Sequence, residues 1–256
     1  WKNLFCHTDI ATLVLFRISF GAILLWEVTR YVEEDWIRKY WIDPKMNLTY
    51  WPFDWVHPLP GDGMYYLFYG LGILSFFILI GFAYRISTLL FFLGFSYQFL
   101  LEQTRYLNHF YLIILVAFVM IFLPLNRAGS VDALIFKRRH SETAPLWSLW
   151  LIRFMIGLPY FFGGVAKLNY DWLHGQPLGI WLAEDTMFPI IGKYFTEQWM
   201  LLSMSYTGLL LDLLIVPALL FKKTRAFGFF FVLLFHVMNS QIFSIGIFPW
   251  FMIFAT

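Results

Sequence analysis

Apolar residues run through this chain in blocks long enough to cross a bilayer, separated by polar loops. A membrane-crossing helix needs about 17–25 predominantly apolar residues. Such blocks lie at Ile10–Tyr31, Met64–Tyr84, Ile86–Glu102, Phe110–Pro124, Leu146–Leu168, Trp199–Phe221 and Ala226–Phe248. The fourth is short, with room to begin before Phe110, and Phe251–Thr256 opens an eighth. The pattern predicts an all-α, polytopic transmembrane helical bundle of seven to eight spans. No repeat, low-complexity stretch or soluble linker interrupts it, so residues 1–256 read as one domain. A start on Trp1 and an end inside an apolar run point to an excerpt of a longer chain, with a C-terminal region beyond it.

The polar loops alternate in charge. One set carries Arg85, then Arg127, Lys137, Arg138 and Arg139, then Lys222, Lys223 and Arg225. The other carries Glu33, Glu34, Asp35, Asp43, Asp54 and Asp62, then Asp171, Glu184, Asp185 and Glu197. The positive-inside rule puts the basic set and the N-terminus in the cytoplasm and the acidic loops outside. Two acidic loops are long, Val32–Gly63 and Asn169–Gln198, and rich in Trp, Tyr and Pro. Aromatic rings favour the membrane–water boundary, so short interfacial helices are expected there.

Composition agrees. The chain is 60% hydrophobic and 13% charged, against roughly 25% charge in a soluble domain. A net charge of +2 and no basic, aromatic-interleaved surface exclude nucleic acid as a partner. Cys6, the only cysteine, excludes an intrachain disulfide and a cysteine metal site within these residues. No Gly-rich phosphate loop, HExxH or GxSxG occurs, and His109 and His236 are too few for a transition-metal site.

Polar residues inside spans are costly and need a reason. An inner layer holds Arg17, Arg153 and Asp212 at similar depth, read as a buried ion pair or triad that fixes packing. An outer layer holds Glu27, Arg30, Gln98, Glu102, Asn108, His109, Lys167, His236, Asn239, Ser240 and Gln241. Two histidines, a lysine and several amides at one level read as a site, with interhelical hydrogen bonding as the alternative. Arg153, Gly157, Tyr160, Gly164 and Lys167 share one helix face, and so do His236, Asn239, Ser240 and Phe243. Pro159 is expected to kink the fifth span. Lys167 ends that span between hydrocarbon and water, where an amine serves either as a proton acceptor or as an anchor snorkelling to the headgroups.

Three segments together resemble the vitamin K-dependent gamma-glutamyl carboxylase family: Asn108-His-Phe-Tyr-Leu112, Tyr160-Phe-Phe-Gly-Gly-Val-Ala-Lys-Leu-Asn-Tyr-Asp-Trp172 and Phe235–Pro249. The third is the longest and most specific match, and the wider group includes bacterial membrane proteins. The resemblance implies a lyase that couples oxygenation of vitamin K hydroquinone, with O2 and CO2 as co-substrates, to carboxylation of glutamate in a protein or peptide. It implies Lys167 as the base that deprotonates the hydroquinone, with Asn108 and His109 donating hydrogen bonds near the reacting oxygen. It also implies a quinone pocket lined by Phe161, Phe162, Gly164, Val165, His236, Asn239 and Ser240, an active site facing outward, and no metal. Animal members carry two adjacent lysines, where this chain has Ala166 before Lys167. Lone Cys6 departs from the animal enzymes' disulfide and favours a bacterial inner membrane over the endoplasmic reticulum. A different quinol-dependent membrane enzyme and a non-catalytic quinone- or lipid-binding protein are the alternatives; a transporter should show paired broken helices in repeated halves, which this chain lacks.

Overall fold

The structure is a computed structural model that describes residues 2–185 and 187–256, apart from the side chains of Lys2, Asn3 and Arg139. Arg139, one of the basic loop residues above, therefore has its side chain outside the described residues. The fold is all-α, as the pattern predicts. Among the described residues the strands are β1 (His7–Asp9) and β2 (Thr143–Pro145), paired antiparallel with His7 opposite Pro145.

The helices are α1 (Ala11–Glu33), α2 (Gly63–Ile80), α3 (Tyr84–Leu100), α4 (Asn108–Phe122), α5 (Val131–Ile135), α6 (Leu146–Ala166), α7 (Tyr170–Leu173), α8 (Gln176–Trp181), α9 (Gln198–Leu220), α10 (Arg225–Ile242) and α11 (Phe248–Ala255). By length and composition α1, α2, α6, α9 and α10 are able to cross a membrane. With 17 residues in α3 and 15 in α4, the third and fourth expected spans fall short of the roughly 20 residues that a bilayer core requires. Large apolar side chains such as Leu15, Ile73, Leu89, Phe118 and Phe230 stand exposed on the helices. That surface suits hydrocarbon, and the chain is an integral, multi-pass membrane protein.

The chain forms two compact units, divided inside α6. The first runs to Ile152 and also takes Ala255; the second runs from Arg153 to Phe254 and takes Thr256.

In the first unit α1 packs along α2, α2 along α3 and α3 along α4. Gly21 lets α1 and α2 touch: a Cβ there would sit 2.5 Å from the backbone nitrogen of Leu79. Phe20, Phe91, Phe95 and Phe110 form a run of ring contacts through three of these helices. The α2–α3 turn is tied electrostatically. Arg17 donates to the carbonyls of Ile78, Leu79 and Gly129, two of them among the unsatisfied acceptors at the end of α2. Asp132 accepts from the backbone nitrogens of Ala83 and Tyr84 at the start of α3 and from Asn126.

In the second unit α9 and α10 form a helical hairpin, with Gly228 against Ala218. The seventh span ends earlier than expected. Its helix stops at Ile242, so Phe243 has an extended backbone and does not continue the face of His236, Asn239 and Ser240. Gly246 in a left-handed conformation and Pro249 at the start of α11 keep the chain from running on as one helix. The helix α6 continues through Pro159 to Ala166.

Candidate functional site

Lys167 lies one residue beyond α6, and its amine is held by α9. Nζ donates to Oδ2 of Asp212 at 2.5 Å and to the Gly163 carbonyl at 3.4 Å. The pair is largely shielded, with side-chain exposures of 20% and 8%. The Trp172 ring covers the amine from 5.0 Å, and Trp172 is itself pinned to α9 by Nε1 donating to the Ser205 carbonyl and by the Ser205 hydroxyl donating to the Trp172 carbonyl.

Glycines make room for this pair. A Cβ on Gly163 would sit 3.0 Å from Asp212 Oδ2 and 3.7 Å from Lys167 Nζ, and one on Gly208 would sit 3.9 Å from Lys167 Cε. Gly164 packs on Leu213, where a Cβ would come within 2.6 Å of Cδ2 and 3.2 Å of the backbone nitrogen.

This geometry corrects two expectations. Two of the inner-layer residues have partners outside that layer: Arg17 bonds to carbonyls within the first unit, and Asp212 pairs with Lys167. Lys167 and Asp212, expected in separate outer and inner layers, are in contact. Asp212 lies fourteen residues into α9, or about 21 Å at 1.5 Å per residue. The intervening half of α9 is covered by α7 and α8, through a core of Leu178, Leu182, Phe195 and Leu201. Gly175, in a left-handed conformation, turns the chain from α7 into α8 against Leu201.

Further along the same face of α6, the Tyr160 hydroxyl contacts His236 Nε2 at 2.8 Å and Thr256 Oγ1 at 3.3 Å. Asp212 is within electrostatic reach of that hydroxyl. His236 is 1% exposed, and its Nδ1 is buried without a hydrogen-bond partner among the described residues. Lys167, Asp212, Tyr160 and His236 thus form a polar file through an apolar unit. Asn239 and Ser240 are half-buried one turn on from His236, with the Ser240 hydroxyl donating to the Val237 carbonyl. Phe161, Phe162 and Val165 lie on the exposed side of α6, away from the face that carries Lys167.

The remaining candidates, Asn108 and His109, belong to the first unit. Asn108 is exposed and His109 is buried in the first turn of α4. Arg30 is within electrostatic reach of His109 and is paired with Glu27 at 2.6 Å. Around this pair Tyr31, Trp36, Trp41, Phe68 and Phe110 form an aromatic cluster at the end of α1. Glu102, expected inside the third span, lies beyond α3 and binds the first long loop. It accepts from Asn47 Nδ2, the Leu48 nitrogen and the Thr104 nitrogen and hydroxyl. Burial pushes the Glu102 carboxyl pKa up; these four bonds together outweigh it and hold the pKa below the ordinary carboxylate range.

Sequence reasoning missed Asp212 as a member of the site. The signal was present: no basic residue lies within four positions of Asp212 on its own helix, so its counter-charge had to come from elsewhere.

The HTTM domain profile matches residues 5–256. No solved structure matches the chain.

Proposed function

The chain belongs to the HTTM domain family, the membrane domain of the vitamin K-dependent carboxylases, and on that premise we propose that it is a gamma-glutamyl carboxylase using reduced vitamin K. The observation that carries the reading is the Lys167–Asp212 pair, 2.5 Å apart and shielded by Trp172. An isolated buried charge is costly, whereas a lysine–aspartate pair is neutral overall wherever its shared proton sits. One further proton, taken from a phenol to leave a phenolate, goes to Asp212 Oδ2 when the shared proton sits on the amine, or to Lys167 Nζ when it sits on the carboxyl.

Two features fit a hydroquinone. The amine of Lys167 retains some accessibility, and the buried Nδ1 of His236 has no hydrogen-bond partner among the described residues, which a ring oxygen would supply. Bound vitamin K hydroquinone supplies, on reaction with O2, the strong base that removes a glutamate γ-carbon proton. The part played by this chain is narrower. Lys167 Nζ and Asp212 Oδ2 receive and hold the phenolic proton. Tyr160 orients the His236 ring through Nε2, leaving Nδ1 for the ligand. For Asn108 and His109, in the first unit, the family resemblance alone supports a role as hydrogen-bond donors to developing negative charge. The apolar helices exclude water that would quench a strong base. Exposed Phe161, Phe162 and Val165, with half-buried Asn239 and Ser240, contribute the surface along which the quinone approaches from lipid, whereas Gly164, expected to line the pocket, holds α6 against Leu213. The acidic loops and the site face the extracytoplasmic side, by the loop charges.

The test supplies purified protein with reduced vitamin K, labelled bicarbonate and a Glu-rich peptide. Label enters the peptide and the epoxide accumulates, and both are lost in Lys167→Ala. Full epoxide formation by that variant overturns the assignment of Lys167; epoxide without label marks a quinol enzyme of another kind.

A further inference from the structure

A second polar region lies in the first unit, beyond the end of α4 opposite to Asn108 and His109. A cavity of about 780 Å³ opens between the start of α3, the loop after α4 and the segment after α5. Its volume is within the roughly 300–1,000 Å³ of small-molecule sites. Arg85, Arg127, Arg138 and His140 line it, with Asp132 as the one carboxylate in the lining among the described residues.

That carboxylate is already committed, to Ala83, Tyr84 and Asn126. The three arginines have no ion pair among the described residues, although Arg85 and Arg127 are held on hydrogen-bonded backbone, in the first turn of α3 and in a loop bonded to Ser141. A cation in the first turn of a helix opposes the helix dipole, so the position of Arg85 favours an anion beside it. Next to the cavity Leu134, Ile135 and Phe136 are 76%, 57% and 50% exposed, and Phe136 also lines it. A basic pocket with an apolar rim has the two-part chemistry of a lipid: charge for a phosphate, hydrocarbon for an acyl chain. Its loops are also those that charge asymmetry assigns to the cytoplasmic leaflet, where anionic lipids concentrate.

We propose that this cavity binds the phosphate headgroup of an anionic phospholipid, with the acyl chains resting on Leu134–Phe136. Arginine supplies the planar, forked donor set that suits a phosphate.

The test measures binding of phosphatidylglycerol, phosphatidylcholine and inorganic phosphate to the purified full chain in neutral detergent. Phosphatidylglycerol binds and raises the unfolding temperature, and added salt weakens it. Arg127→Gln/Arg138→Gln, which touches no ion pair, lowers that affinity about tenfold or more. Lys222→Gln/Lys223→Gln removes equal charge from another loop and leaves the affinity unchanged. Equal binding of phosphatidylcholine, an unaltered affinity in the arginine variant, or an equal loss in the lysine variant would each overturn the proposal. A response to inorganic phosphate with none to phosphatidylglycerol would overturn the lipid as the source of the phosphate.

Discussion

Lys167 and Asp212 are each explicable only through the other. Removing one partner of a buried pair leaves an uncompensated charge and costs about 3–5 kcal/mol. Lys167→Met is therefore expected to lower thermal stability strongly, and Lys167→Met/Asp212→Asn to recover most of it, as read by unfolding in detergent; equal destabilisation in both would mean that the pair is not coupled. Asp212→Asn, which a purely packing role predicts to be active once folded, should instead slow epoxidation by about tenfold or more per folded molecule. Gly163→Ala should reproduce part of that loss, because its Cβ arrives 3.0 Å from Asp212 Oδ2. Glu102 gives a pH prediction. Its folded pKa lies below its unfolded one, so its contribution is complete above the ordinary glutamate pKa of about 4.3 and disappears as pH falls through the lower folded value. Wild type should melt above Glu102→Gln at about pH 6, and the gap should shrink as pH falls below the ordinary glutamate pKa; a constant gap would contradict the hydrogen-bonded carboxylate.

At the scale of elements, the decisive feature is where α6 stops. A fifth span running to Leu168 and a sixth beginning at Trp199 were legible from hydropathy, and both are present to within two residues. Their relative depth was not legible. Small residues at Gly157 and Gly164 let α6 lie against Val216 and Leu213, and that register sets Lys167 beside the middle of α9. Helices α7 and α8, in a loop expected to carry short helices, then cover the first half of α9. Gly164→Ala forces its Cβ onto Leu213 and should cost about 1–3 kcal/mol by overpacking. A lowered unfolding temperature with a proportionate loss of activity would locate the damage in this contact; no change in either would mean that the helices are free to separate there.

For the whole molecule, membrane insertion follows from apolar helices whose exposed sides are leucine, isoleucine and phenylalanine. The alternation of basic and acidic loops predicts the N-terminus inside. Cys6, the only cysteine and exposed at the surface, offers a direct check. In cells, an impermeant maleimide should label Cys6 only after the membrane is opened; labelling of intact cells would invert the topology.

Hydropathy, loop charge and helix-ending residues are local quantities. They determined the all-α class, the positions of the spans to within a few residues, and the face shared by Tyr160, Gly164 and Lys167. The end of α10 at Ile242 was hidden because Phe243–Phe248 stays apolar while its backbone turns. The partner of Lys167 was hidden for a different reason. Forty-five residues separate it from Asp212, and no period or spacing along one helix encodes the register between two. Only close packing of α6 on α9, set by where glycine allows contact, decides which carboxylate meets the amine.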